Sequence, residues 1–270
     1  MLLRFDATLR NFKFSDLANE IILTDIVELP PEEEIISSKR ALRAGTHVTD
    51  IVRRSLPIRL SYVIRTQDPV RRAALRDRVA KWVGNGGVLS ISTRPDYYIV
   101  VKPTNLPALN SSLRWTEEQS ILLTAYEQPY WYSTKDNSYQ LYGDTYSSEI
   151  SMYTDTVNVM VPGDVDYVPC YASIICTDES YAMTRVRLEN GTSMMELSGF
   201  VLAPGNMLSV SYNDADILQI MKPSSGESLL QYRTAESSDD FLTPTNVETP
   251  VTVSADAKFQ CVLSFVSRWK

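Results

Sequence analysis

The chain has 270 residues, of which 44% are hydrophobic and 22% are charged, and its formal net charge is −7. This length predicts one or two domains, and the composition is typical of a folded protein rather than a disordered one. No segment approaches the roughly 18–20 consecutive apolar residues of a membrane-spanning helix. The three cysteines lack the spacing of a disulfide framework.

Charge is distributed unevenly along the chain. Residues 1–102 contain 17 Lys and Arg and 12 Asp and Glu, a difference of +5, and residues 103–270 contain the remaining 9 and 21, a difference of −12. Such a split favours two domains with different surfaces, which we place at residues 1–135 and 136–270. The 15 tyrosines and the frequent Thr, Ser and Val favour β-structure in both.

The first 45 residues predict strands joined by turns. The runs FDATLRNFKF and IILTDIVEL are typical of strands, with a turn near Ser15 and Asp16. Residues 30–34, PPEEE, predict a solvated loop, because two prolines and three like charges do not pack in a sheet. Residues 35–45 are ambiguous, because their sequence does not distinguish a strand from a loop.

Residues 55–101 predict a strand, a helix and a second strand. Apolar and polar residues alternate from Ile58 to Arg65, as in a half-buried strand. Asp68 and Pro69 are an N-cap and a first helical residue, and Gly84 with the run 85–87 ends the helix, which we place at about 69–83. The second strand covers residues 88–92, and we expect a turn at residues 94–96.

The predicted helix has an apolar stripe and a basic remainder. The stripe consists of residues at helical spacing: Ala74, Leu75, Val79, Trp82 and Val83. Arg71, Arg72 and Arg76 belong to the basic residues that we expect away from this stripe. The sequence therefore predicts a helix that packs on a sheet and exposes arginines.

Beyond residue 103 the pattern is β-structure throughout. Residues 120–126 predict a strand that closes the first domain, and the aromatic run Tyr130–Tyr132 ends it. Short apolar runs then recur every 10–15 residues or so, separated by turn signals, which is typical of a β-sandwich. These runs are TVNVMV, YASIIC, TRVRLEN, MMELSGFVL, MLSVSYN, ILQIMK, SLLQYR and FQCVLSFVSRW. Asn190-Gly191 is the strongest hairpin signal, and Cys170 and Cys176 are predicted to be buried free thiols on one strand face.

The unit at residues 40–102 resembles a known family. A strand, an arginine-rich helix ending in Trp82, a glycine turn and the run LSISTRPDYYIVV are similar to the N-terminal domain of the distal tail (Dit) proteins of long-tailed bacteriophages. The resemblance implies a mainly β fold: an N-terminal β-sandwich domain with one helix, which forms a ring, and a C-terminal galectin-like β-sandwich. It also implies that residues 35–45 belong to an arm or hairpin that embraces a neighbouring subunit.

Arginines between Lys39 and Lys81 are the candidate site residues. This segment contains 12 basic residues against Asp50, Asp68 and Asp77. Such a patch can follow phosphates, but the whole chain is acidic, with a pI of about 4.9. We therefore interpret it as a subunit contact, because arginine pairs with carboxylates and stacks on aromatic rings. The predicted interface residues are Arg53, Arg54, Arg71, Arg72 and Arg76.

Catalytic, cofactor and metal sites are not predicted. His47 is the sole histidine and has no nucleophile motif to serve, and no zinc spacing occurs. Residues 162–166 could hold Ca²⁺ in principle, but a plain turn is the better interpretation. No pair among the 33 acidic residues is marked as a glycosidase pair. The galectin sugar motif H-x-N-P-R is missing, and Tyr130, Trp131 and Tyr132 are expected to form an inter-domain or core cluster rather than a sugar platform.

Two functions from different classes remain open. The first is a structural component of a phage tail tip or baseplate, present in the virion and synthesised in the host cytoplasm. By the resemblance it forms a homohexameric ring that contacts the tail tube protein, a tail-associated lysin or hub protein, and receptor-binding or baseplate proteins. It makes no membrane contact, and its contact with nucleic acid is limited to lining a DNA channel. The second is a monomeric two-domain glycan-binding module that acts at a cell surface.

Overall fold

The computed structural model describes residues 5–39, 46–105, 118–135, 137–213 and 216–269, and the side chains of residues 37–53 lie outside this description. The chain folds into two compact units, Met1–Tyr132 and Ser133–Lys270. Both consist mainly of antiparallel strands, and the described residues contain one α-helix. The predicted fold class, mainly β with one helix and two β-domains, is confirmed.

The first unit contains nine strands and the helix α1 among its described residues. Their bounds are β1 Ala7–Leu9, β2 Phe12–Lys13, β3 Ile21–Glu28, β4 Glu32–Lys39, β5 Thr46–Ile64, α1 Pro69–Val83, β6 Gly87–Ile91, β7 Arg94–Pro103, β8 Gln119–Ala125 and β9 Trp131–Ser133. The strand order is β2-β1-β6-β7-β8-β5-β3, with β4 paired to β5 and β9 paired to β7.

The core of the first unit lies on one face of this sheet. Alternate residues of β5 are buried, at positions 56, 58, 60, 62 and 64. Phe14, in a 3-10 turn at Phe14–Asp16, contacts both the sheet and the helix. Its ring centroid lies 5.7 Å from that of Tyr62 and 5.0 Å from that of Trp82, both edge to face. This cluster joins α1 to the sheet.

Helix α1 has the predicted bounds and caps. The Asp68 carboxylate accepts a hydrogen bond from the backbone N–H of Val70 at 2.8 Å, and Pro69 is the first helical residue. Gly86 follows with φ of 79°, and a side chain there would collide with the backbone carbonyl of Val101. The predicted stripe is correct for Leu75, Val79, Trp82 and Val83 and wrong for Ala74, which is exposed.

Three predictions about the first unit are wrong at the local level. The run FDATLRNFKF is a hairpin rather than one strand, because Arg10 and Asn11 both have positive φ, 51° and 67°. The loop predicted at residues 30–34 is limited to residues 30–31, because residues 32–34 begin β4, whose Glu32 carboxylate accepts a hydrogen bond from the Ser55 hydroxyl at 2.8 Å. The turn expected at residues 94–96 lies at residues 92–93, and residues 94–96 begin β7.

The second unit is a sandwich of two antiparallel sheets. Its strands are β10 Asn137–Gly143, β11 Thr145–Ser147, β12 Met152–Val159, β13 Tyr167–Cys176, β14 Met183–Glu189, β15 Met194–Leu202, β16 Met207–Tyr212, β17 Leu218–Lys222, β18 Glu227–Ser228, β19 Leu242–Pro244, β20 Thr249–Ala255, β21 Phe259–Phe265 and β22 Arg268–Trp269. The larger sheet has the order β10-β21-β13-β16-β17-β18, with β19 on β13, and the smaller has the order β11-β12-β20-β14-β15.

Turn chemistry differs from the prediction at two places in this unit. Asn190 does close the β14–β15 hairpin, but its side-chain carbonyl does so, accepting hydrogen bonds from the backbone N–H groups of Thr192 and Ser193 at 3.0 and 2.8 Å. The run SLLQYR is not a strand: Leu230–Tyr232 form a 3-10 turn. The adjoining segment binds the edge of β15, where Thr234 donates to the carbonyl of Glu196 at 3.0 Å.

The three cysteines are free and buried, as predicted. Cys170 and Cys176 lie on the inner face of β13, and Cys261 lies opposite Ile174 on β21. Burial raises the pKa of Cys261 to about 12, with a smaller contribution from the Asp155 carboxylate, and burial also raises the pKa of Cys170. The thiols of Cys170 and Cys261 are therefore protonated in the folded protein at neutral pH.

Replacing Trp82 by alanine should lower the free energy of unfolding by about 3–5 kcal/mol. The side chain is buried, contacts Phe14, and donates its indole N–H to the carbonyl of Phe12 at 2.8 Å. Urea unfolding followed by circular dichroism measures the change. Val70→Ala, on the exposed face of the same helix, is the control and should change little. Equal effects of the two substitutions would contradict the packing described above.

Cys170 and Cys261 should resist alkylation in the folded protein and react after unfolding. A raised pKa in the folded state stabilises the fold below the ordinary cysteine value of about 8.5. That stability should decline as the pH rises from there toward the folded value of about 12. Iodoacetamide labelling at pH 8, read by mass spectrometry with and without urea, measures protection. Rapid labelling of either cysteine in the native protein would contradict the buried placement.

Candidate functional site

The β4–β5 hairpin forms an arm, which we define as residues 32–39 and 46–55. Among the described strands β4 pairs only with β5, with Ile35 opposite Ile51 and Lys39 opposite Thr46. Ile35 is 60% exposed and Ile36 is 44% exposed, and as adjacent strand residues they point to opposite faces. Arg54 and Glu34 form an exposed ion pair at the base of the arm. The arm therefore carries apolar side chains toward solvent on both faces.

Helix α1 presents arginines in three different surroundings. Arg71 is half-exposed and binds the Glu20 carboxylate at 3.0 and 3.1 Å. The backbone N–H of Glu20 and then the Arg71 guanidinium lower the pKa of Glu20. Arg76 is half-buried, and Arg78 is exposed and donates to the carbonyl of Leu17 at 3.2 Å. This side of the helix is basic.

Arg72 differs from the other predicted interface residues. It is 7% exposed, and its guanidinium donates to the carbonyl of Thr66 at 2.6 Å. The expectation that Arg72 lies away from the buried stripe is therefore wrong. A guanidinium can be buried where its long stem packs on apolar groups and its N–H groups are hydrogen-bonded. Arg72 fastens the beginning of α1 to the preceding loop and has little surface to offer a neighbour.

Trp131 and Tyr132 of the aromatic run at residues 130–132 are core residues, as predicted, whereas Tyr130 is half-buried. Trp131 is fully buried and donates its indole N–H to Glu28 at 3.1 Å. The guanidinium of Arg94 lies 5.2 Å from the centre of the Trp131 ring and pairs with Glu28 at 2.9 Å. Tyr132 stacks on Tyr98 at 5.4 Å. These buried rings cannot serve as a sugar platform.

The other sequence candidates contribute no assembled site among the described residues. Within those residues no three His, Cys, Asp or Glu side chains lie close enough to share a metal ion. Asp164 and Asp166 line an open cleft, and the turn is held by Asn246, whose side-chain carbonyl accepts the backbone N–H of Gly163 at 3.4 Å. The side chains of His47 and Arg53 lie outside the described residues. The described helix is too short and too polar to cross a membrane.

Comparison with solved structures gives a match over nearly the whole chain. The crystal structure of the Dit protein of phage SPP1 aligns with a TM-score of 0.69 and 9% identity, covering 98% of this chain and 99% of that chain. This chain has the Dit fold. Two structures of the phage P2 baseplate in its activated conformation, with Ca and with Sr, align at TM-scores of 0.49 and 0.48, at 8% and 9% identity. The alignments cover 99% and 97% of this chain and 98% and 97% of those chains.

No family model and no curated protein matches the sequence. The similarity to the SPP1 Dit protein therefore lies in the backbone geometry, because only 9% of the aligned residues are identical. The SPP1 protein is described as a paradigm of the hub adsorption apparatus in phages that infect Gram-positive bacteria. That description belongs to the SPP1 protein.

The Dit fold places the predicted arginines on two separate elements. Arg54 lies in β5 at the base of the arm, whereas Arg71 and Arg76 lie on α1. The sequence prediction missed the exposed isoleucines of the arm. The pair Ile35-Ile36 directly after three glutamates was the available signal, because a half-buried strand would alternate polar and apolar residues there.

Arg72→Met should destabilise the protein, and Arg71→Met should not. Methionine keeps much of the apolar stem of Arg72 but leaves the carbonyl of Thr66 without its donor, which costs about 1–3 kcal/mol. The Arg71–Glu20 pair is exposed, so its loss should leave the midpoint of urea unfolding nearly unchanged. Unfolding curves of both variants measure the difference. A larger loss for Arg71→Met would contradict the burial that separates the two residues.

Proposed function

We propose that this chain is a structural component of a bacteriophage tail tip, in which copies assemble head to tail into a hub ring, most simply a hexamer. The Dit fold over 98% of the chain supports this role. In the proposed arrangement the first unit builds the ring and continues the tail tube. The second, galectin-like unit projects outward and binds receptor-binding or baseplate proteins. A tail-associated lysin or hub protein is the proposed partner on the distal side, and DNA contacts the ring only as it passes through the channel.

The arm is the observation that carries the proposal. An isolated two-stranded hairpin is marginally stable in water and needs a surface to pack against. This arm also exposes apolar side chains on both faces, at Ile35 and Ile36. A neighbouring copy that covers the arm would supply the packing surface that the hairpin needs and would bury the exposed isoleucines. In the proposed ring the arm of each copy packs on the next copy, so that the same head-to-tail contact repeats around an axis until the ring closes.

The basic side of α1 supports the same contact. Arg71, Arg76 and Arg54 stay as proposed interface residues, together with Arg53. The arm begins with three consecutive glutamates, of which Glu34 is paired with Arg54 of the same arm, and the exposed Glu33 brings negative charge toward the basic helix of an approaching copy. Such complementarity sets register and raises the rate of association more than it raises affinity. Arg72 is better explained by its bond to Thr66.

Ile35→Glu should prevent ring assembly and leave the fold intact. The substitution places a charge where the proposed contact buries an apolar side chain, so the mass in solution should drop from that of the ring to that of one chain. Light scattering after size exclusion measures the mass, and negative-stain images show the ring. A wild-type protein that is monomeric at all concentrations would contradict the proposal and favour a solitary glycan-binding module.

Val201→Glu is the matched control for this experiment. Val201 is also a β-strand residue and is 61% exposed, close to the 60% of Ile35, but it lies in the second unit. It should assemble like the wild type. Repeating the measurement across salt concentrations tests the arginines, because charge steering weakens as salt screens it. Assembly by Ile35→Glu at wild-type concentration would remove the arm from the interface.

A further inference from the structure

The outer face of the larger sheet in the second unit has an unusual composition. Strands β10, β21, β13, β16 and β17 bury alternate residues in the sandwich and turn the others outward. Of the outward residues on these five strands, all within the described part of the chain, none is charged. One row across the strands reads Gln140, Val262, Ser173, Ser209 and Met221. Residues 103–270 nevertheless carry the −12 excess.

The smaller sheet shows that this neutrality is not a general property of the unit. Its outer face carries Arg185 paired with Glu196 at 2.7 Å and Arg187 paired with Glu189 at 2.7 Å. Both sheets belong to the same acidic sandwich, and only one is free of charge on its outer side. Charged side chains keep exposed sheets soluble and separate. Their absence from the larger sheet therefore suggests a surface that meets a neutral partner.

The side chains on this neutral face offer hydroxyl and amide groups. Serines lie on four of its five strands: Ser138, Ser173, Ser209, Ser211 and Ser264. Gln140, Gln219 and Gln260 add amides. Hydroxyl and amide groups both donate and accept hydrogen bonds, as the hydroxyls of a sugar do. The face also carries Tyr142, Tyr171, Met207 and Met221, residue types that protein interfaces favour, but serine, which they disfavour, is its most frequent residue. The abundance of hydroxyl and amide groups therefore favours a polyhydroxylated ligand.

The size of the face points the same way. Five strands spaced about 4.8 Å apart span roughly 19 Å, and three alternate residues along a strand span roughly 14 Å. Even with side chains, this is a few hundred Å², against about 800 Å² on each side of a standard protein interface. A strip of that size suits an extended oligosaccharide.

A cleft lies at one end of the neutral face. Its volume is about 520 Å³, and it is lined by Tyr142, Asp144, Asp178, Glu179, Lys258 and Gln260, of which Tyr142 and Gln260 also belong to the neutral face. The Tyr142 ring is 52% exposed, and its hydroxyl donates to the Gln140 amide carbonyl at 2.9 Å, which holds the ring in place. Backbone N–H groups, first that of Ser180, lower the pKa of Asp178, so its carboxylate is ionised.

We propose that this neutral face binds an uncharged glycan chain, with one sugar stacked on Tyr142 at the cleft. An aromatic ring of fixed orientation provides the apolar contact, and the carboxylates and amides accept and donate to hydroxyls. The ionised Asp178 carboxylate in the cleft disfavours anionic polymers. The proposal does not depend on ring assembly, and it would give a tail component a direct contact with neutral surface polysaccharide.

Binding of the full-length protein to neutral oligosaccharides tests the proposal. The probes are tetrasaccharides of N-acetylglucosamine, glucose, galactose and rhamnose, with polyglycerol phosphate as the anionic comparison, screened on an array and measured by calorimetry. At least one neutral probe should bind, and polyglycerol phosphate should not. Tyr142→Ala should weaken binding about tenfold, which is the contribution expected from one stacked aromatic ring. Ser173→Arg, at the centre of the face, should abolish binding.

Two control variants match these substitutions. Tyr146 is 54% exposed and lies in β11 of the smaller sheet, so Tyr146→Ala should bind as the wild type does. Thr156→Arg places the same cation on the outer face of the smaller sheet. Absence of binding by every neutral probe at millimolar concentration overturns the proposal. Stronger binding of polyglycerol phosphate, or equal losses in the control variants, also overturns it. Particle mass, measured in parallel, keeps this result separate from ring assembly.

Discussion

Strand β5 runs for 19 residues, and its two halves lie in different surroundings. From Leu56 to Ile64 it is held between β3 and β8, and its alternate side chains form the core under α1. From Thr46 to Ser55 its partner is β4. Because the backbone continues without a break, the packing of the core half sets the direction of the arm half. An arm on a flexible linker would lose far more conformational entropy when a neighbour binds it.

Residues of the same type have different roles in this protein according to whether their side chains are buried or exposed. Arg71 and Arg72 are adjacent in sequence, yet one forms an exposed ion pair and the other is fastened to a backbone carbonyl under the helix. Tyr132 and Tyr142 likewise differ: one is stacked in a core cluster and the other is exposed beside a cleft. An assembly surface or a binding surface is made from the exposed member of each pair.

The two sheets of the second unit have similar inner faces and different outer faces. Both bury an apolar inner face, and the three buried cysteines lie on the inner face of the larger sheet. Their outer faces differ, because one is covered by ion pairs and the other is neutral. The fold requires only the inner alternation. The composition of the outer faces is not constrained by the fold, so it is more informative than the inner faces about what the unit contacts.

The sequence by itself determined the elements whose signals are local. Asp68, Pro69 and Gly84 placed α1 at Pro69–Val83, because caps act within one turn of the helix. Alternation predicted the C-terminal strands and the shared face of Cys170 and Cys176. The family resemblance rested on one such local unit, and backbone similarity over the whole chain extended it to the Dit fold.

Only the tertiary structure decided the features that depend on distant partners. Residues 32–34 form a strand because they pair with β5, where Ser55 lies opposite Glu32 and the Arg54 side chain binds Glu34. The sequence PPEEE contains no signal for those partners. Arg72 is buried because the loop at Thr66 supplies a carbonyl, which helical periodicity cannot indicate. The neutral face gathers residues from five strands between Ser138 and Ser264, and only strand pairing brings them into one row. Local propensity reports what a segment can form, whereas pairing across the chain decides which side of it meets water.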